Sequence, residues 1–163
     1  MIITSIIISF ILEGVFTNLV DLNSLLLPLF TITSLTILYP YFNNNRNKFI
    51  VTCAMVGFFY DIIYTDSLFV NTFSFLIVGI AIIIIYNYIS MNLVNINVLN
   101  IVIIIIFKIV SYMLLCIIGY LYFKSSVLIK GIYSSIIINV IYGIGLYLIT
   151  DRIGKKMNLK KME

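Results

Sequence analysis

Histidine and tryptophan are missing from this chain, and charge is scarce: 10 Lys and Arg and 6 Asp and Glu in 163 residues. The lack of His removes most zinc sites and every His-based acid, base or nucleophile pair. No cofactor or metal is expected. Cysteine is limited to Cys53 and Cys116, both in apolar stretches and neither in a CxxC pair, so no disulfide framework is expected. At 10% charged residues, the chain lacks the polar exterior that a soluble domain of this length requires. The net charge of +4 is not a nucleic-acid signal, because five of the ten basic residues fall in 151–163. A membrane-topology signal accounts for that clustering.

What is present is hydrophobic: 63% of residues, with a mean hydropathy of +1.19. The apolar residues form blocks long enough to cross a hydrocarbon core, which takes roughly 20 helical residues. Helices satisfy their own backbone in lipid, and runs such as Ile101 to Ile106 do not alternate as barrel strands would. The expected fold is all-α, a single integral membrane domain over 1–163. It is a polytopic bundle of about six spans, at 2–20, 24–42, 49–65, 71–90, 98–123 and 129–150, with a basic tail at 151–163. The N-terminus lacks a basic leader region, so 2–20 reads as a retained first span. Pro28 falls in the first turns of the second span, and Pro40 marks its end.

With six spans and the N-terminus inside, Arg46, Lys48, Arg152, Lys155, Lys156, Lys160 and Lys161 are cytoplasmic. Only Lys124 and Lys130 fall outside, which predicts N-in, C-in. The tyrosines divide the same way. Tyr39, Tyr41, Tyr86, Tyr88 and Tyr147 lie near inner span ends; Tyr60, Tyr64, Tyr120, Tyr122 and Tyr133 lie near outer ends. Such rings favour the headgroup level.

Three charges sit inside spans: Glu13, Asp61 and Lys108. Each costs a few kcal/mol near the bilayer centre, which makes them the candidate site. They suit an ion or substrate pathway, or a charge pair that fixes helix packing, and without His the second is favoured. In the fifth span Lys108, Ser111, Tyr112, Cys116 and Gly119 share a face; in the sixth, Ser135, Asn139, Tyr142 and Gly143 do. Small and polar faces are where helices meet in lipid, so these stripes read as packing. In the third span Gly57 and Asp61 are four apart, on one face. Asn71 and Gly79 share a face of the fourth, and spans three and four are expected to be the packed heart.

The stretch 57–79, GFFYDIIYTDSLFVNTFSFLIVG, resembles the MreD family, the small membrane subunit of the bacterial rod-shape machinery. The likeness rests on a glycine, three residues and an aspartate in the third span, and on chain length, span spacing and the basic tail. The family's second glycine is missing; Val70-Asn71-Thr72 stands there, and only the Asn matches. The resemblance implies a non-enzymatic scaffold beside an MreC-like protein, the actin-like MreB, and the elongation glycosyltransferase and transpeptidase. Gly57, Asp61, Asn71 and Gly79 then carry over as structural motif positions. The basic tail and the Arg46 loop would meet membrane lipids or cytoplasmic partners. The alternative is the substrate-binding subunit of an energy-coupling-factor importer, although the first span lacks the AxxxA pattern such subunits carry. An enzyme is not expected, since no nucleophile, base and stabiliser fall together.

Overall fold

The computed structural model describes residues 2–19, 27–42, 45–65, 69–89 and 92–156. Asp21, Asn43, Asn44, Asp66 and most of the expected basic tail, on which parts of the topology expectation rest, lie outside them. Among the described residues the protein is all-α, with six helices: α1 (Ile2–Leu19), α2 (Phe30–Leu38), α3 (Arg46–Tyr64), α4 (Val70–Tyr86), α5 (Leu93–Ile117) and α6 (Ser125–Lys156). A 3₁₀ turn (Tyr39–Phe42) extends α2.

Four of these helices, α1, α3, α5 and α6, are long and apolar enough to cross a membrane, and the chain is a multi-pass membrane protein on that ground. Their outward faces carry exposed Ile, Leu, Val and Phe side chains, the surface that hydrocarbon solvates. α6 has 32 residues, a rod of about 48 Å. It outruns the bilayer core, and the expected tail begins as helix, through Lys156.

The second expected span is not a full-length helix. α2 has nine residues, and all nine are buried. Pro28 lies before the helix, in a non-helical stretch, rather than in its first turns. Such backbone is tolerated at membrane depth only where protein covers it. Here α6 covers it: the Leu27 N–H donates to the Ser134 carbonyl (3.0 Å). The Asn139 amide accepts from the Leu29 N–H (2.8 Å) and donates to the Leu27 carbonyl (3.2 Å). Pro40 falls inside the 3₁₀ turn, where the α-helix has already ended.

α3 and α4 make the most extensive helix pair, while α2 packs on α1, α5 and α6. The buried centre is therefore α2, not the α3–α4 pair alone. Its apolar residues Ile32, Leu35 and Leu38 join Phe49, Cys53, Phe75, Val78, Ile82 and Ile103 in one core. Ser34 and Thr36 donate back to carbonyls of their own helix, at 2.7 and 3.0 Å, while the buried Thr33 hydroxyl has no hydrogen-bond partner among the described residues.

α5 ends earlier than expected. Gly119, at φ +85°, reverses the chain; its N–H donates to the Cys116 carbonyl and the Tyr120 N–H to the Leu115 carbonyl. That is a Schellman cap, so Gly119 terminates the helix instead of packing a face. The tyrosine belts also need revision. Tyr39 and Tyr41 are core residues, and Tyr39 stacks edge-on with Phe49 and Tyr86 at 4.7 and 5.0 Å. Tyr88, Tyr120, Tyr122 and Tyr133 remain exposed, as rings at a membrane interface would be.

Candidate functional site

Both buried acids do the same job on different helices. Asp61 sits three residues before the end of α3, and α4 starts at Val70, nine residues further along the chain. The first N–H groups of a helix have no partner within it, and they form the positive end of its dipole. One Asp61 carboxylate oxygen accepts from the Asn71 N–H (2.9 Å) and side-chain amide (3.1 Å). The other accepts from the Thr72 N–H (2.8 Å) and hydroxyl (2.7 Å). The acid is 1% exposed, so nearly all its solvation comes from these donors.

Gly57, one turn before Asp61, sets the approach. A Cβ there would lie 2.8 Å from the Thr72 Cα and 2.9 Å from the Asn71 carbonyl oxygen. Only glycine leaves the backbone of α4 close enough for the aspartate to reach it. Asn71 is thus part of the cap itself. Gly79 lies lower on the same interface, where a Cβ would meet the Cys53 Sγ at 2.9 Å. Phe69, the N-cap of α4, is left-handed at φ 71°, a strained position for an aromatic residue.

Glu13, on α1, caps α2. One oxygen accepts from the Thr31 N–H (2.8 Å) and hydroxyl (2.6 Å), and the other from the Tyr60 hydroxyl (2.9 Å). It is 2% exposed. Through Tyr60 it joins three helices, α1, α2 and α3. A second link lies beside it, where the Tyr64 hydroxyl donates to the Phe10 carbonyl (2.7 Å).

The two acids thus work apart, each at its own helix end. Among the described residues neither closes an ion pair with Lys108 within 4.0 Å; Glu13 acts on it only through space. Both carboxylates are engaged by hydrogen-bond donors, four at Asp61 from the start of α4 and three at Glu13. Lys108, half-buried, instead lines a cavity of about 290 Å³ with Tyr60, Asn71, Ser111 and Tyr112.

The polar stripes of α5 and α6 do lie against neighbouring helices. Ser111 donates to Ser74 on α4 (3.0 Å), and the Tyr142 hydroxyl meets Ser9 on α1 (2.7 Å). The buried Ser135 donates to its own helix, and Cys116 is a half-buried free thiol. Gly143 faces Thr33, Asn97 and Asn100 at 3.2 to 3.3 Å from the place a Cβ would take. Sequence reasoning missed Thr31 and Tyr60 as cap partners. The one signal available was the density of Thr and Ser in 31–36, which is unusual for a segment meant to face lipid.

The described residues hold no cluster of three or more metal-ligating side chains. No family model, curated protein or solved structure matches the chain. The fold and site define a class only: an all-α, multi-pass membrane protein whose buried acids cap its own short helices.

Proposed function

We propose that this chain is a non-enzymatic membrane subunit of the bacterial cell-elongation (rod-shape) complex, of the MreD kind. It sits in the cytoplasmic membrane with six crossings and both termini inside. It helps to assemble or position the peptidoglycan synthesis machinery beside an MreC-like protein, MreB, and the elongation glycosyltransferase and transpeptidase.

One observation carries the reading: both buried acids are spent on holding helix ends. An intramembrane enzyme or an ion relay needs a carboxylate that can take up and release a proton or cation. Asp61 accepts four hydrogen bonds from the start of α4 and Glu13 three from α2 and α3, and the Gly57–Asp61 spacing serves the α3–α4 contact. A chain whose charges fix its own shape suits a rigid platform better than a machine that moves. The exposed Arg46 and Lys48 at the start of α3, with the basic tail, suit the anionic inner leaflet.

The test is co-purification from native membranes. The wild-type chain is expected to bring down an MreC-like, periplasm-facing coiled-coil protein, and Asp61→Ala to lower that recovery together with membrane abundance. A variant that assembles normally yet loses uptake of a solute would sink the scaffold role.

A further inference from the structure

Among the described residues Lys108 is the one charged group lining its cavity, and the other polar donors there are committed. The Tyr60 hydroxyl donates to Glu13, the Asn71 amide to Asp61, and the Ser111 hydroxyl to Ser74. The Tyr112 hydroxyl bonds the backbone at Tyr122 and Lys124. Lys108 alone has three N–H donors and, among the described residues, no hydrogen bond or ion pair. An ammonium in this position costs a few kcal/mol unless an anion meets it. The protein's own buried carboxylates do not: Asp61 is locked on α4, and Glu13 lies beyond Tyr60, which lines both this cavity and a second one of about 410 Å³ on the Glu13 side.

The rest of the wall is apolar. Phe107 and Leu115 come from α5, Val127 and Leu128 from the start of α6, and Leu29 from the stretch before α2. The apolar part runs from Lys108 toward the end of the bundle where α5 leaves and α6 begins. Lys108 lies nine residues before the end of α5, about 13 Å below that end. Its flexible stem lets the ammonium reach toward it.

We propose that this cavity is a binding site for an anionic amphiphile. A phosphate or carboxylate would sit on the Lys108 ammonium, with an apolar body along Leu115, Val127 and Leu128. Two features select that chemistry. The uncommitted Lys108 ammonium favours a negative group, and Leu29, Phe107, Leu115, Val127 and Leu128 give an apolar body its contacts. A volume of about 290 Å³ admits a headgroup with the first part of a chain, not a whole lipid, so the remainder would emerge into the bilayer.

The test uses the full chain in nanodiscs of phosphatidylcholine, with phosphatidylglycerol as the probe and native mass spectrometry as the readout. The wild type is expected to retain one phosphatidylglycerol against a phosphatidylcholine background. Lys108→Met should weaken that retention about tenfold or more, and Lys108→Arg should keep most of it. Leu115→Trp, which fills the apolar part and leaves the charge, should weaken it as well, and would keep the test decisive if Lys108→Met did not fold. Inorganic phosphate, added alone, should displace nothing. Equal retention by wild type and Lys108→Met overturns the site. Displacement of the lipid by inorganic phosphate overturns the amphiphile, because the apolar body would then contribute nothing.

Discussion

The two capped helices differ in how far the cap must reach. Asp61 acts from the end of α3 onto N–H groups ten and eleven residues along the chain, at the start of α4, and takes these partners from that one helix pair. Glu13 takes one N–H and one hydroxyl from α2, eighteen residues on, and a third donor from α3. The first is a local device that one helical hairpin can form by itself. The second is tertiary, because it exists only once three helices have met. The same chemistry, a carboxylate on a recessed helix N-terminus, therefore serves two levels of assembly.

That contrast ranks the expected effects. Asp61→Ala strips acceptors from two backbone N–H groups that cannot turn elsewhere, and should destabilise the protein by about 3 kcal/mol in detergent unfolding. Glu13→Ala strands one N–H and leaves two hydroxyls free to rotate toward other acceptors, for about 2 kcal/mol. Equal losses would remove the distinction between the caps. A larger loss at Glu13 would make the three-helix junction the dominant element.

Gly57→Ala should cost about 2 kcal/mol, because the new methyl meets backbone, which must move. Gly79→Ala should cost about 1 kcal/mol, because its methyl meets the Cys53 side chain; adding Cys53→Ala should recover most of that loss. Cys53→Ala should not rescue Gly57→Ala, which sharpens the separate roles of the two glycines. The smallest effects are expected at Phe69, the left-handed residue ahead of α4. Phe69→Gly should raise stability and Phe69→Val lower it, each by about 1 kcal/mol, read as a shift in thermal midpoint. If both substitutions lower stability, ring packing of Phe69 against Phe58 outweighs the backbone strain.

How much of this was legible in the sequence follows the same local-to-tertiary divide. The apolar blocks give the helical class and the four long helices directly, since a span is a local property. Gly57 and Asp61 stand out because both lie on one helix face within one turn. Glu13 stands out as a charge in hydrocarbon, but its partner Thr31 does not, because nothing local ties position 13 to position 31. For the same reason α2 reads as a lipid-facing span. Its hydropathy is that of a membrane helix; the Thr and Ser of 31–36 are the one local hint against it, and the surrounding contacts bury all nine residues. Charge alone points to a pairing of Lys108 with an acid; among the described residues no carboxylate lies within 4.0 Å of its ammonium.

The central claim is that Asp61 acts through the start of α4, and a double-mutant cycle between Asp61→Ala and Thr72→Val tests it most directly. Unfolding of the purified chain in detergent should give a coupling of about 1 kcal/mol, because the second substitution removes a donor already orphaned by the first. Strictly additive losses would contradict the cap, and with it the view that the buried acids hold this protein's shape.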